Sequence, residues 1–231
     1  MRKFLFISAV LVTAMTALQS CDKTTPAKFT EQQLLGDWHL LSGELPDIST
    51  ITPETVYHAD LTLKESGTGT ISVWYEAEQE SITKKTAEIK WTLADDRLSI
   101  SFNGKELSYD ISIGEDGNLT TTSEGKKTEY RKDQFVNLKD RLVNNTWYSP
   151  EASKFREKIS YSLYFESEKY LTSIEYNKEK KSYSKRKDYY ELRNNTITVF
   201  HSESQRKVLH DWTVLFLNEK YMGLGSMILQ N

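Results

Sequence analysis

The stretch WTLADDRLSI, at residues 91–100, aligns without a gap on YELRNNTITV, at residues 190–199. In both stretches an aromatic residue is followed by a two-residue turn and then by two apolar residues at alternate positions. Asp and Asn occupy the turns, and these residue types tolerate the positive φ angles that tight hairpins require. The sequence therefore predicts one β-hairpin that occurs twice, 99 residues apart.

Three further matches occur in the same order along the chain. The matched pairs are Leu61–Glu65 with Leu163–Ser167, Tyr109–Ile113 with Trp212–Phe216, and Trp38 with Trp147. Their offsets lie between 99 and 109 residues, as changes in loop length would produce. A chance match between amphipathic strands is the alternative, but a repeat in fixed order favours two copies of one structural unit. We expect the first copy to span residues 29–135 and the second residues 136–231.

Apolar residues recur at every second position throughout both copies, which is typical of strands with one buried face. Turn residues such as Asn103-Gly104 separate the runs, so neighbouring strands are expected to pair antiparallel. The fold class is therefore predicted as all-β. The large side chains expected to point inward are Trp91, Phe102, Tyr109, Phe165, Tyr190, Trp212 and Phe216.

The first residues have the layout of a cleaved signal peptide, expected to be helical over residues 1–20. Arg2 and Lys3 precede an apolar run from Phe4 to Leu18, which is shorter than the roughly 20 residues that cross a bilayer. Leu18-Gln19-Ser20-Cys21 resembles the lipobox of bacterial lipoproteins, in which the Cys is acylated after cleavage. Residues 21–28 would then form a tether that holds the protein on a membrane. An ordinary signal peptide with a stray thiol is the alternative.

Charge is distributed unevenly between the two copies. Residues 22–135 carry 21 acidic and 12 basic side chains, whereas residues 136–231 carry 12 acidic and 16 basic ones. A total net charge of −3 argues against a nucleic-acid partner. The basic residues concentrate in a predicted hairpin tip, which either contacts an anionic lipid or glycan surface or is simply solvated. The residues of this hairpin that we single out are Lys180, Lys181, Lys185, Arg186 and Lys187.

A family resemblance adds a closed architecture to this pattern. Gly36-Asp37-Trp38, Leu61-Thr62-Leu63, Trp91-Thr92-Leu93 and Tyr130-Arg131 resemble the lipocalin-like domains of Bacteroidetes-type envelope lipoproteins. The resemblance implies two small up-and-down antiparallel barrels in tandem, and closure also removes exposed sheet edges. It further implies a location on the outer membrane, on either its periplasmic face or its cell-surface face. By resemblance, Trp38 closes the barrel floor with Arg131 packed across it, and Trp147 is the second copy's counterpart.

No residue set in the sequence specifies a reaction. The four histidines, at positions 39, 58, 201 and 210, are isolated in the sequence, and no nucleophile elbow or phosphate loop occurs. We therefore expect no catalysis, no metal ion and no cofactor. The large inward side chains favour filled or nearly filled barrels. The leading hypothesis is a binding module that holds a small apolar or amphipathic ligand in a barrel mouth or offers it between the barrels. The alternative is a structural lipoprotein with filled barrels that docks a protein or glycan; the oligomeric state stays open.

Overall fold

A computed structural model describes residues 29–44, 48–77, 82–149, 159–225 and 227–231. The predicted signal peptide, the lipidation residue Cys21 and the tether lie outside these residues. Within the described ranges, no helix has both the length and the apolar composition to cross a membrane.

The first barrel consists of eight antiparallel strands in sequence order, with β1 paired to β8 to close it. Its strands are β1 (Gly36–Gly43), β2 (Val56–Lys64), β3 (Thr68–Glu76), β4 (Ile82–Ala94), β5 (Arg97–Phe102), β6 (Lys105–Ile113), β7 (Leu119–Ser123) and β8 (Lys126–Arg131). A short helix, α1 (Glu31–Leu34), precedes β1.

The second barrel repeats this plan and is closed by β9 between β16 and β10. Its strands are β9 (Thr146–Tyr148), β10 (Ile159–Phe165), β11 (Tyr170–Asn177), β12 (Ser182–Arg193), β13 (Thr196–Phe200), β14 (Val208–Leu217), β15 (Tyr221–Leu224) and β16 (Met227–Gln230). Helix α2 (Leu138–Leu142) precedes it. The predicted all-β fold with two tandem antiparallel barrels is confirmed.

The hairpins that match in sequence also match in structure. Asp95, Asp96 and Asn194 adopt positive φ angles, as their turns require. Trp91 Nε1 donates hydrogen bonds to the carbonyls of Lys64 and Thr68, at the turn between β2 and β3. Its counterpart Tyr190 donates its hydroxyl to the Ser167 carbonyl, in the turn between β10 and β11, at 2.9 Å. In each barrel, therefore, the aromatic residue of the repeat fastens the same preceding turn.

Trp38 is buried in the first barrel and contacts helix α1. It is 1% exposed, and its indole Nε1 donates to the Leu34 carbonyl at 2.7 Å. The cation over the Trp38 ring is Lys132, whose Nζ lies 4.9 Å from the ring centroid and also donates to the Leu35 carbonyl. Arg131, which the family resemblance assigns to this place, pairs with His39 in the β-ladder instead. Packing of Arg131 across Trp38 stays a prediction.

Trp147 occupies the corresponding buried position above helix α2 in the second barrel. Unlike Trp38, its Nε1 has no hydrogen-bond acceptor among the described residues. Arg141 of α2 donates to the carbonyls of Gln134 and Leu217, so this helix is fastened both to the chain before it and to β14. Burial lowers the Arg141 pKa to about 10.

The interior of the first barrel is filled. Its core side chains, including Trp38, Trp91 and Phe102, are at most 7% exposed. A cavity between Ala59, Ile100 and Tyr130, among others, has a volume of about 10 Å³. This is roughly the room for one water molecule. The expectation of a filled interior therefore describes the first barrel well.

The two barrels are in direct contact. Tyr57, Phe216 and Ile228 form a buried cluster between them, and the Tyr57 and Tyr221 rings meet edge to face. The Glu219 amide donates to the Leu41 carbonyl at 2.8 Å. Phe216, expected to point inward, faces this junction instead. The β14–β15 ladder shifts register between Val214 and Phe216, and such a shift redirects the side chains that follow it.

Candidate functional site

The second barrel has an open mouth where the first is filled. A cavity of about 540 Å³ lies there, within the usual range for small-molecule sites. The side chains around it come from β10, β11 and β12 on one side and β14, β15 and β16 on the other. They are Tyr161, Leu163, Ser173, Glu175, Ser184, Lys185, Arg186, His210, Trp212, Leu224 and Met227.

Strand alternation explains why these residues meet. The ladder places Ser173 opposite Arg186 and Glu175 opposite Ser184, on the face that continues downward to the buried Tyr190. The apolar floor consists of Leu163, Leu224 and Met227, all at most 7% exposed. The mouth thus combines an apolar base with polar walls.

Arg186 is the charged centre of the polar wall. Its Nε donates to Asp188 Oδ2 at 2.6 Å, and its Nη2 lies 3.3 Å from His210 Nε2. The Arg186 side chain is 47% exposed, whereas that of Asp188 is fully buried. Partial burial, together with the Arg186 charge, lowers the pKa of His210. His210 is therefore neutral near pH 7, and its Nε2 accepts a hydrogen bond from the guanidinium.

Two aromatic residues face the cavity on opposite sides. Trp212 is stacked on His210, with 4.9 Å between ring centroids and 12° between ring planes. Across the mouth, the Tyr161 hydroxyl donates to Glu175 Oε2 at 2.6 Å, which fixes both side chains. The aromatic surfaces are consequently held in place by polar neighbours before any ligand arrives.

One polar atom next to the mouth is unsatisfied. Asp188 Oδ1 is buried and accepts no hydrogen bond from any residue that the structure describes. Such an atom usually costs free energy unless a water molecule or a ligand reaches it. Asp188 itself is not among the residues that line the cavity, so this acceptor belongs to the buried side of its ion pair with Arg186.

The basic hairpin predicted from the sequence forms, with its turn at residues 178–181 between β11 and β12. The structure divides its five singled-out residues among three places. Lys180 and Lys181 are exposed at the tip, and Lys187 on the outer wall forms an ion pair with Glu166. Lys185 and Arg186 line the barrel mouth. Contact of this hairpin with an anionic surface stays a prediction.

A larger depression, of about 750 Å³, lies on the first barrel. Its lining, which includes Lys64, Glu88 and Lys105, comes from neighbouring strands of one wall and the β5–β6 turn. Because only one wall forms it, a ligand there would stay largely in water. The mouth of the second barrel is the better candidate, since it has walls on both sides.

The histidines are isolated along the sequence, but His39, His58 and His210 have polar partners in space. His39 and His58 converge on Asp60 in the outer wall of the first barrel, because β1 pairs His39 with Asp60 and β2 places His58 two residues away on the same face. His39 Nδ1 lies 2.7 Å and His58 Nε2 3.0 Å from Asp60 Oδ1. Trp74 Nε1 donates to the other carboxylate oxygen at 3.1 Å.

These three ligand-type atoms lie within 4.8 Å of one another, close enough to share a metal ion. However, the hydrogen bonds of Asn218, in the second barrel, show which nitrogen of His58 carries the proton. Its Oδ1 accepts the backbone amides of Lys220 and Tyr221, so its Nδ2 donates to the Tyr57 carbonyl and points at His58 Nδ1, 3.4 Å away. His58 Nδ1 is therefore the unprotonated nitrogen, and Nε2–H donates to Asp60. The cluster is satisfied as a hydrogen-bond network that links the barrels.

Sequence reasoning missed the site because its residues are far apart in the chain. Ser184, Arg186 and Asp188 share the inward face of one predicted strand, and this alternation was the available signal. The position of His210 and Trp212 opposite them depends on barrel closure. Neither a scan of protein-family models nor a search of curated proteins gives a match to this chain.

Proposed function

We propose that this protein is a non-catalytic binding module that holds a small amphipathic ligand in the mouth of its second barrel. The observation that carries the proposal is the 540 Å³ cavity, with its apolar floor and its polar wall centred on Arg186. Specific sites typically combine apolar enclosure with a few placed polar groups. The first barrel, being filled, serves as a scaffold.

The proposal includes a location in the bacterial envelope. The lipobox-like Leu18–Cys21 segment supports a diacylglycerol anchor at Cys21, and the fold is compatible with the lipocalin-like lipoproteins that the sequence resembles. Two or more acyl chains give stable anchoring, where one is marginal. The binding module would then stand on a membrane surface, on the outer membrane in the proposed case.

A second function is favoured by the filled first barrel. Its core is packed, and the cavity among Ala59, Ile100 and Tyr130 has room for about one water molecule. A purely structural or interaction lipoprotein would use outer surfaces in both units, with a protein or a glycan as partner. The open mouth of the second barrel is the feature that this alternative leaves without a role.

Titration with the amphipathic fluorophore 8-anilinonaphthalene-1-sulfonate tests the proposal. We expect saturable fluorescence enhancement with energy transfer from tryptophan, and we expect Trp212→Ala to abolish it. Tyr109→Ala is the matched control, because Tyr109 occupies the repeat-equivalent position in the filled barrel. This control should bind as the wild-type protein does.

Non-saturable binding, or equal binding by the Trp212→Ala variant, would contradict a site in this mouth. Circular dichroism of each variant establishes that the barrels are folded before binding is compared. With this check, loss of binding reports on the cavity and not on the stability of the fold.

A further inference from the structure

We propose that the tip of the β11–β12 hairpin docks on a bilayer that contains anionic lipids. This tip comprises Tyr176, Tyr183 and residues 177–182 between them. The inference goes beyond a ligand in the mouth, and it rests on the proposed function only for the location on a membrane. Three features of the hairpin support it, namely its projection from the barrel, its unpaired lysines and its exposed pair of tyrosines.

The hairpin projects past the neighbouring strand of the barrel wall. In β12, residues 182–188 pair with β11, whereas pairing with β13 begins only at Tyr189. Seven residues of extended chain span about 20 Å. Residues 182–187 are all exposed, although their side chains alternate between the two faces of the strand. A planar surface can therefore reach the tip without first meeting β13.

The turn of the hairpin carries positive charge that the fold does not neutralise. Arg186 and Lys187, nearer the barrel, already form ion pairs. Three exposed basic residues of the turn form no ion pair with any residue that the structure describes. They are Lys178, Lys180 and Lys181. With Glu179 included, the turn has a net charge of +2. Each lysine close to an anionic bilayer strengthens binding about fivefold, so three can strengthen it about 100-fold.

Two tyrosines lie beside these lysines. Tyr176 and Tyr183 are opposite each other in the β11–β12 ladder, so their side chains share one face of the hairpin. They are 40% and 75% exposed, and Tyr183 is the most exposed large apolar or aromatic side chain in the described part of the chain. Tyrosine is enriched at membrane interfaces, because its ring is apolar and its hydroxyl stays hydrated. The tip thus places interfacial rings next to cations that attract lipid phosphates.

The location favours a lipid surface over a soluble anion. An anchor at Cys21 would hold the protein on a bilayer, where lipid head groups reach a high effective concentration near the tip. A contact that is weak in free solution becomes effective under this condition. Lys185 and Arg186, on the same projecting strand, line the mouth of the second barrel. Docking of the tip would therefore set this mouth beside the bilayer.

An environment-sensitive label next to the turn tests docking. Full-length protein with Ser182→Cys, purified from the membrane of its producing cells, is labelled with a nitrobenzoxadiazole dye. It is reconstituted in vesicles of phosphatidylcholine alone or of equimolar phosphatidylcholine and phosphatidylglycerol. We expect blue-shifted, brighter emission in the anionic vesicles alone, and we expect raised salt to reverse it.

The variants separate charge from aromatic contact. Substitution of all three turn lysines by Gln, at positions 178, 180 and 181, should lower the ratio of docked to undocked protein about 100-fold and remove the shift. Tyr183→Ala should weaken docking without a change in charge. The matched charge control replaces three exposed lysines of the first barrel by Gln and should keep the shift. These control positions are Lys64, Lys85 and Lys90.

A control label goes at the opposite end of the same strand. Arg193 ends β12, about 35 Å along the strand from Ser182, and its side chain is 79% exposed. Emission from a label at Arg193→Cys should be the same in both kinds of vesicle. A shift of equal size at the two positions would contradict docking through the tip.

Two other results would also overturn the inference. One is equal emission from the Ser182→Cys label in both kinds of vesicle, or a shift that the triple Gln variant of the turn retains. The other is a shift that appears only when soluble polygalacturonate is added to phosphatidylcholine vesicles, which would assign the tip to an acidic glycan.

Failure of docking is distinguishable from failure of the proposed function. The triple Gln variant of the turn should still bind the fluorophore in the mouth, because none of its three positions lines the cavity. Reaction of the dye with protein that lacks an introduced cysteine would reveal a free Cys21 and contradict the anchor. In that case the labelled variants in a Cys21→Ser background, added to the same vesicles, decide docking by the same criterion.

Discussion

The imidazole of His58, on the outer wall of the first barrel, is stacked on the phenyl ring of Phe216 in the second, with 4.9 Å between centroids and 7° between planes. Both side chains are fully buried. His58 also donates to Asp60 and lies against Asn218, so one ring joins an aromatic contact to a polar network. This relationship makes the barrels one packed body at that point.

Truncating Phe216 should therefore weaken the fold of the whole chain. Phe216→Ala removes a buried ring that also contacts Trp74, and the expected loss of unfolding free energy is about 3–5 kcal/mol. Urea denaturation followed by tryptophan fluorescence measures it. Tyr183→Ala is the control, because Tyr183 is 75% exposed and its removal should change stability by less than about 0.5 kcal/mol. Equal effects of the two substitutions would contradict the junction.

Gly223 gives an independent test of the same contact. A Cβ at this position would lie 2.5 Å from the Phe216 ring, so Gly223→Ala must push the ring toward the first barrel. We expect a loss of about 1–3 kcal/mol in urea denaturation, typical of overpacking. Gly114→Ala is the control for the added methyl group, because its φ is not positive and its Cβ would meet chiefly the carboxylate of the exposed Asp116 side chain. Tolerance of Gly223→Ala at wild-type stability would show that the ring is not held there.

The buried imidazole also predicts a pH dependence. Burial lowers the His58 pKa in the folded protein below its ordinary value of 6.5. The unfolded chain therefore binds a proton first as the pH falls, and stability that is fully present above about pH 6.5 is lost below it. Through this one group, the free energy of unfolding changes by at most about 1.4 kcal/mol per pH unit.

His58→Gln should remove this component, which urea denaturation between pH 7 and pH 5 detects as a shallower slope. His210 also has a lowered pKa, so His210→Gln is the matched comparison. It should remove only the part of the slope that His210 contributes. Asp60 titrates in a different window. Burial would raise the Asp60 pKa, but hydrogen bonds from His39 and His58 hold this pKa well below 3.8. The contribution of Asp60 to the free energy of unfolding is therefore lost only in stronger acid. An unchanged slope in His58→Gln would argue against a neutral buried ring.

The internal repeat predicts equivalent effects at two distant positions. Trp91→Phe removes an N–H shared by two turn carbonyls, and Tyr190→Phe removes one hydroxyl donor to the matching turn. Each substitution should cost about 0.5–1.5 kcal/mol as a lost hydrogen bond, with Trp91→Phe costing more because ring volume is also lost. Thermal denaturation measures both. A neutral effect of Tyr190→Phe would show that its hydroxyl does not fasten the turn.

The membrane anchor is tested at Cys21. Cys21→Ala removes the thiol that acylation requires, so the protein should move from the membrane fraction to the soluble fraction. Metabolic labelling with a palmitate analogue should be lost in the same variant. Cys21→Ser, which also lacks the thiol, should behave alike. Retention of either variant on the membrane would contradict lipidation at this residue.

The sequence predicted the strands and hairpins well because their information is local, whereas their closure into barrels was implied by the family resemblance. Alternation along each strand and the turn residues, such as Asp95-Asp96, determine which faces are buried and how neighbouring strands pair. The Trp91 and Tyr190 repeat then indicated that one plan is used twice. None of these signals depends on contacts between distant segments.

The junction and the mouth depend on such distant contacts. Phe216 was expected inside the barrel by simple alternation, and the register shift before it turned it outward. His39, His58 and Asp60 meet only because β1 and β2 pair in one register. Arg186 and Trp212 face each other only after the sheet closes, so single-strand patterns could not reveal their shared cavity.

Native mass spectrometry of the full-length protein, extracted gently from the membrane of its producing cells, tests the central claim most directly. The account predicts a discrete small-molecule adduct on the wild-type protein that disappears on denaturation, is absent from Trp212→Ala and persists in Tyr109→Ala. A bare wild-type mass that stays bare after incubation with sugars and amphiphiles, or an adduct that Trp212→Ala retains, would contradict a ligand in the mouth of the second barrel.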